Sequence, residues 1–132
     1  MPRTDNMDQS ILIIDGHPVY AQKTEGFLRG LAFQDIQIAA TGKEALETVR
    51  RRKPGLVILS SMLQDMESLE VCRAVHELMG ASSRIIVQVG LFTTADMVSQ
   101  FNDRGADVVL MRKEKDMTPL QSAIESLLPQ GA

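Results

Sequence analysis

The sequence predicts an α/β domain in which five parallel strands alternate with five helices, a doubly wound (βα)5 arrangement with helices on both faces of the sheet. Two observations lead to this prediction. Short runs of aliphatic and β-branched residues recur along the chain, and a segment with helical spacing of apolar residues follows each run. Strands that are apolar throughout are typical of parallel sheets. The predicted strands are residues 11–14, 36–39, 56–59, 85–89 and 108–111.

Three of the helix starts are marked by residues that favour such positions. Pro18 suits the first position of the first helix, and Thr41 with Glu44 has the spacing of a capping box before the second. Thr118, followed by proline, is predicted as the N-cap of the last helix. The predicted buried faces are Phe27 and Leu31 in the first helix, Ala45, Leu46 and Val49 in the second, Val71, Val75 and Met79 in the third, Val98 and Phe101 in the fourth, and Leu120, Ile124 and Leu127 in the last.

Composition limits the classes of function. The 132 residues, 44% apolar and 23% charged, indicate one domain, predicted over residues 11–129 after a flexible arm at residues 1–10. A net charge of -3 argues against nucleic-acid binding. One cysteine excludes an internal disulfide, and no run has the ~20 apolar residues that a membrane helix needs. With no signal peptide evident either, the expected location is the cytoplasm.

In an open α/β sheet, ligands bind where the strands end, so the residues after each predicted strand decide the function. Five segments carry a resemblance to a known family: residues 11–18 (ILIIDGHP), 41–46 (TGKEAL), 53–59 (KPGLVIL), 84–87 (RIIV) and 105–110 (GADVVL). In their order and spacing they resemble the receiver domains of bacterial two-component response regulators, especially those that open with Asp-Asp-His-Pro. The resemblance spans nearly the whole chain and implies the flavodoxin-like, receiver-like form of the predicted fold.

The resemblance implies a specific chemistry, because receivers accept a phosphoryl group on an aspartate at the end of the third strand. An acidic pair on the first strand holds Mg²⁺. A hydroxyl follows the fourth strand, an aromatic side chain lies on the fifth, and a lysine follows the fifth. This sequence departs from the family at almost every position. It carries Asp15 and Gly16 for the acidic pair, Ser60 for the acceptor, Val89 for the hydroxyl, Val109 for the aromatic residue and Arg112 for the lysine.

These departures predict a degenerate phosphorylation pocket with no metal, no cofactor and no catalytic residue. Mg²⁺ is usually anchored by one or two carboxylates, and Asp15 would be left alone. Ser60 is a poor nucleophile without a base or metal beside it. We expect a cation from the end of the fifth strand to pair with Asp15. Arg112 is the first candidate and Lys113 the second, since a register shift of one residue exchanges them.

The resulting hypothesis is a phosphorylation-independent receiver-like module that signals by protein–protein interaction and is not an enzyme. Val89 and Val109, the switch positions in receivers, have no group that could sense a phosphate. The expected partner is another signalling protein, an output domain missing from this chain, or a second copy; neither nucleic acid nor membrane is expected. The candidate interaction face consists of Met97, Val98, Phe101 and Met111.

Two alternatives remain open at this point. Asp15-Gly16-His17 and Ser61-Met62-Leu63 match fragments of the signature of cobalamin-binding domains, which share this architecture, so a cobalamin or other small ligand is one alternative. Tyr20, however, stands where that signature has glycine. The other alternative is a conventional receiver that is phosphorylated at a non-standard residue.

Overall fold

The computed structural model describes residues 9–80, 84–113 and 115–128, which form five strands and five helices in strict alternation. The predicted doubly wound (βα)5 architecture is confirmed. The strands are β1 (Ser10–Ile14), β2 (Asp35–Ala39), β3 (Leu56–Ser60), β4 (Arg84–Val89) and β5 (Val108–Met111). The helices are α1 (Pro18–Gly30), α2 (Gly42–Arg52), α3 (Ser68–Met79), α4 (Ala95–Asp103) and α5 (Thr118–Leu127).

All strands of the sheet are parallel, in the order β2-β1-β3-β4-β5. The order reverses at β1, so a crevice opens at the carboxyl ends of β1 and β3, the usual ligand position in open α/β sheets. Ile14 pairs with Leu59 of β3, and Ser60 pairs with Gln88 of β4. Side chains from β1, β3 and β4 therefore meet at one edge of the sheet.

Alternate residues of each strand enter two apolar cores, one on either face of the sheet. Leu59 and Val87 pack with α2, α3 and Phe101 of α4 on one face. Ile58 and Ile86 pack with α1 and α5 on the other. Burial on both faces explains why the strands are apolar without alternation.

The helix starts agree with the sequence at two of three positions. Pro18 begins α1, and the Thr41 hydroxyl accepts a hydrogen bond from the backbone N–H of Glu44 at 3.1 Å. The prediction for the last helix was wrong, because the N-cap of α5 is Met117 and Thr118 is already helical. The carboxylate of Asp116 accepts from the Thr118 N–H at 3.0 Å, so an aspartate two residues earlier has the capping role.

Strand boundaries differ from the prediction by single polar residues. Ser10 belongs to β1, so the predicted arm at residues 1–10 is one residue too long. Residues 1–8 of that arm, and residues 81–83, 114 and 129 of the predicted domain, lie outside the described residues. Among the helices that the structure describes, none is long and apolar enough to cross a membrane.

Candidate functional site

A buried ion pair closes the crevice at the carboxyl ends of the strands. Nη2 of Arg112, just after β5, donates to Oδ2 of Asp15, just after β1, at 2.6 Å. The other oxygen, Oδ1, accepts the backbone N–H of His17 at 2.9 Å. Both carboxylate oxygens therefore have donors, as a group that is only 3% exposed requires. The predicted pairing of Asp15 with a cation after the fifth strand is confirmed.

Arg112 is held on a second side by an aromatic ring. Its Cζ lies 4.5 Å from the centroid of Tyr20, within the range of a cation–π interaction, and the His17 ring contacts the same tyrosine. The backbone N–H of Arg112 also donates to the carbonyl of Val89 at 2.9 Å. These contacts resolve the open choice between two cations: Arg112 enters the pocket, and Lys113 is exposed.

Ser60, at the position of the family's acceptor, is buried and helps to close the loop that follows it. Its Oγ accepts the N–H of Met62 at 3.2 Å, and its carbonyl accepts the Ser68 hydroxyl at 2.9 Å. Gly16 has different surroundings. A Cβ added there would lie 3.4 Å from the nearest atom, the carbonyl oxygen of Ala40, so packing leaves room for a side chain at this position.

The residues of this pocket do not fit the Mg²⁺ that receivers use. Among residues 9–80, 84–113 and 115–128, no three His, Cys, Asp or Glu side chains are grouped so that they could hold a metal ion. Asp15, the one carboxylate left from the acidic pair, already has a guanidinium on one oxygen and a backbone N–H on the other. A cation would have to displace Arg112 to reach it.

The two residues predicted at switch positions belong to one apolar core. Val89 is buried in the cluster beneath α2 and α3, and Val109 packs against the same cluster. Neither side chain has a hydrogen-bonding group that could respond to a phosphate.

Of the candidate interaction face, Met97 and Met111 are exposed and Val98 is partly buried. Phe101 is only 2% exposed and belongs to the core, so its assignment to that face was wrong.

Sequence analysis missed an aspartate that links the β3–α3 loop to α2. Asp65 Oδ1 accepts the N–H of Gly42 at 2.8 Å, and Oδ2 accepts the N–H of Lys43 at 3.0 Å. These two backbone hydrogen bonds lower the pKa of Asp65 below its usual value of 3.8. No local pattern could reveal this cap, since the carboxylate comes from a loop more than twenty residues after the helix start.

We expect Asp65→Asn to destabilise the protein near neutral pH but not in acid. A lowered pKa in the folded state means that the stabilisation is present above the unfolded-state value of about 3.8 and is lost as the pH falls through the lower folded-state pKa. Melting temperatures from pH 6 to pH 2.5 should therefore converge for wild type and variant. Glu47→Gln, a change of an exposed acid on the same helix, is the control. A pH-independent difference would contradict the assignment.

An open cavity of about 1120 Å³ extends from this pocket to α4. The β3–α3 loop, residues 90–93 and part of α4 line it, together with Ser60, Gln88 and Arg112. Three of its apolar side chains, Met62, Leu91 and Phe92, are highly exposed. No sequence pattern indicates the cavity, because the residues of its wall resemble ordinary core or loop positions.

Comparisons with known proteins identify the family to which this chain is similar. A family model described as response regulator receiver domain matches residues 11–125. The chain is 34% identical over 111 residues to the DNA-binding response regulator MtrA of Mycolicibacterium smegmatis, covering 84% of this chain and 47% of that protein. It is 33% identical to MtrA of Mycobacterium tuberculosis, with the same coverage. The chain thus spans about half the length of these curated relatives.

Solved structures show the same architecture. A receiver domain protein (CheY-like) from Methanospirillum hungatei has a TM-score of 0.81 at 24% identity, covering 90% of this chain and 93% of that one. The signal receiver domain of a DNA binding response regulator from Colwellia psychrerythraea has a TM-score of 0.82 at 28% identity, covering 92% and 99%. The flavodoxin-like form of the predicted fold is confirmed.

Proposed function

This chain belongs to the response regulator receiver domain family, and from that membership we propose that it is a receiver module of two-component signalling. From the residues of its pocket we propose that the module works without aspartyl phosphate. Family membership favours this function over the cobalamin-binding alternative. We further propose that Asp15, Gly16, Ser60, Val89 and Arg112 form a degenerate phosphorylation pocket with no catalytic role. The module acts in the cytoplasm, by protein–protein interaction.

The Asp15–Arg112 pair is the observation that carries this proposal. Phosphoryl transfer in general depends on positioning and on neutralisation of charge by a metal ion. Here a guanidinium, which stays charged at all physiological pH values, lies against the one remaining acid. The acceptor position holds a buried hydroxyl that is already engaged with the backbone of its own loop. The pocket therefore has neither the nucleophile nor the metal site.

We expect no phosphoryl group to be added when the protein is incubated with acetyl phosphate and Mg²⁺. Intact-mass spectrometry is the measurement, and a receiver that retains the acceptor aspartate serves as the positive control in the same buffer. A stoichiometric, base-labile gain of one phosphoryl group would support the alternative of a receiver phosphorylated at a non-standard residue. Repeating the reaction with Ser60→Ala would then show whether Ser60 or a carboxylate is the acceptor.

Met97 and Met111, with the partly buried Val98, form the face that we propose for binding a partner. Both methionines are exposed, and flexible thioether side chains adapt to different surfaces. The partner is another signalling protein, an output domain that this chain lacks, or a second copy of the chain. The relatives are named DNA-binding response regulators, yet the net charge of -3 favours a protein partner for this module over nucleic acid.

Met97→Glu should reduce association through this face, because it places a charge in an apolar contact. Leu78→Glu is a matched control, since Leu78 on α3 is 37% exposed and Met97 is 38% exposed. Sedimentation velocity with a candidate output domain, and over a range of concentrations for self-association, would measure the effect. Acetyl phosphate should leave both results unchanged. Equal association of the two variants would contradict the assignment of this face.

A further inference from the structure

We propose that the cavity at the carboxyl ends of β3 and β4 binds an uncharged, mainly apolar small molecule through one hydrogen-bonding head group. This inference rests on the residues that line the cavity. It assigns a ligand site to a region where the degenerate pocket supplies no phosphoryl chemistry.

The walls of the cavity have the character of a small-molecule site. Ligand pockets are concave and mainly apolar, with a few well-placed polar groups, and a volume of about 1120 Å³ is large enough for such a ligand. Phe92 is 96% exposed, and Leu91 and Met62 are also largely in solvent. Large apolar side chains that cluster at the rim of one cavity indicate a binding surface. Methionines such as Met66 and Met97 can adjust to the shape of a ligand.

Gln88 supplies the polar group that would bind the head group of the ligand. It lines the cavity, it is only 8% exposed, and its carboxamide forms no hydrogen bond with any part of the chain that the structure describes. Buried amides are nearly always hydrogen-bonded, because an unpaired one is costly. Its neighbour in the sheet, Ser60, lines the same cavity. A carbonyl or hydroxyl on a ligand would supply the partner that Gln88 lacks.

The charges around the cavity indicate that the ligand is neutral. Arg112 is the cation among the lining residues, and its charge is already balanced by Asp15 at 2.6 Å. Asp65 and Glu67, which also line the cavity, add negative charge. An anionic ligand would have to compete with Asp15 for the guanidinium while lying near these carboxylates. An uncharged molecule would neither compete with Asp15 for the guanidinium nor be repelled by the two carboxylates.

Two fluorescent probes can test both the apolar and the polar part of this proposal. Nile red is neutral and carries a carbonyl, whereas diphenylhexatriene is a hydrocarbon with no hydrogen-bonding group. We expect saturable binding of both. Gln88→Met keeps the volume and removes the amide, so it should weaken Nile red binding about 3- to 10-fold, the usual effect of losing one neutral hydrogen bond. Diphenylhexatriene binding should be unchanged, which also shows that the variant is folded.

Substitutions in the wall of the cavity test whether the probes bind there. Phe92→Ser should weaken both probes, while Leu78→Ser removes an exposed apolar side chain that does not line the cavity and should weaken neither. Absence of saturable binding, or equal effects of these two variants, would overturn the proposal. Unchanged Nile red affinity in Gln88→Met would overturn the role of the head group. Binding that appears only at concentrations where sedimentation shows dimers would mean that the cavity belongs to an interface between copies.

Discussion

Replacing Asp15 by asparagine should lower the free energy of unfolding by about 3 kcal/mol, the lower end of the range for breaking a buried ion pair. The reason is that Arg112 loses its counter-charge in a site where the acid is 3% and the arginine 18% exposed. Partial access to water lets the guanidinium recover some solvation, so the effect should not reach the upper end of that range. Urea unfolding measures this loss, and the slope of the free energy of unfolding against urea concentration should be the same for the variant and wild type.

Arg112→Gln tests the same contact from the other side. It leaves the more deeply buried partner without a cation, so we expect a loss at least as large. The double variant Asp15→Asn/Arg112→Gln should be more stable than the sum of the single effects predicts. The exposed pair Arg29–Glu25 is the matched control, and Glu25→Gln should change stability by less than about 1 kcal/mol. Additive effects of the two buried changes would show that the residues do not interact.

The strand pattern was predictable because both faces of the sheet are covered. Each strand is then apolar at successive positions, and a single sequence reveals it without any tertiary information. The starts of three strands were not predictable. Ser10, Asp35 and Arg84 extend these strands at their amino-terminal ends because backbone pairing begins before the apolar side chains do, and hydrogen-bond register depends on the neighbouring strand.

In α4, which borders the cavity, helical periodicity does not predict which residues are buried. Met97 and Phe101 are four residues apart and lie on the same face of α4, yet Met97 is 38% exposed and Phe101 is buried. Both side chains line the open cavity, but Phe101 also packs in the core over the sheet, whereas Met97 lies near the start of the helix and is not part of that core. Sequence spacing indicates which face a residue occupies but not where along the helix the core ends.

The site was predictable only where a residue's place in the chain fixed its place in the sheet. Asp15 and Arg112 are 97 residues apart, but each directly follows a strand, and parallel strands end at the same edge. The ring of Tyr20 on Arg112 and the cap of Asp65 on α2 depend on how a helix and a loop pack against that edge. Such contacts depend on tertiary structure, so residue spacing in the sequence does not predict them.

The turn that leads into β5, and so toward Arg112, requires a glycine. Gly105 follows α4 with a φ of +108°, and the adjacent Ala106 N–H donates to the carbonyl of Phe101 at 3.0 Å, as at many helix ends. A Cβ at this glycine would lie 2.3 Å from Cγ of His76 and 2.6 Å from its Cβ. Both the backbone angle and the contact with α3 therefore exclude a side chain.

Gly105→Ala should accordingly lower the free energy of unfolding by about 3 kcal/mol or more, since backbone strain and overpacking each contribute about 1–3 kcal/mol. Gly26→Ala is the matched control. Nothing lies within 4 Å of a Cβ there and the residue is inside α1, so alanine should raise stability by about 0.5–1 kcal/mol. Urea unfolding of both variants and of wild type would show whether Gly105→Ala lowers the free energy of unfolding and Gly26→Ala raises it. Similar stability of both variants would show that the α4–β5 turn can shift His76 at little cost.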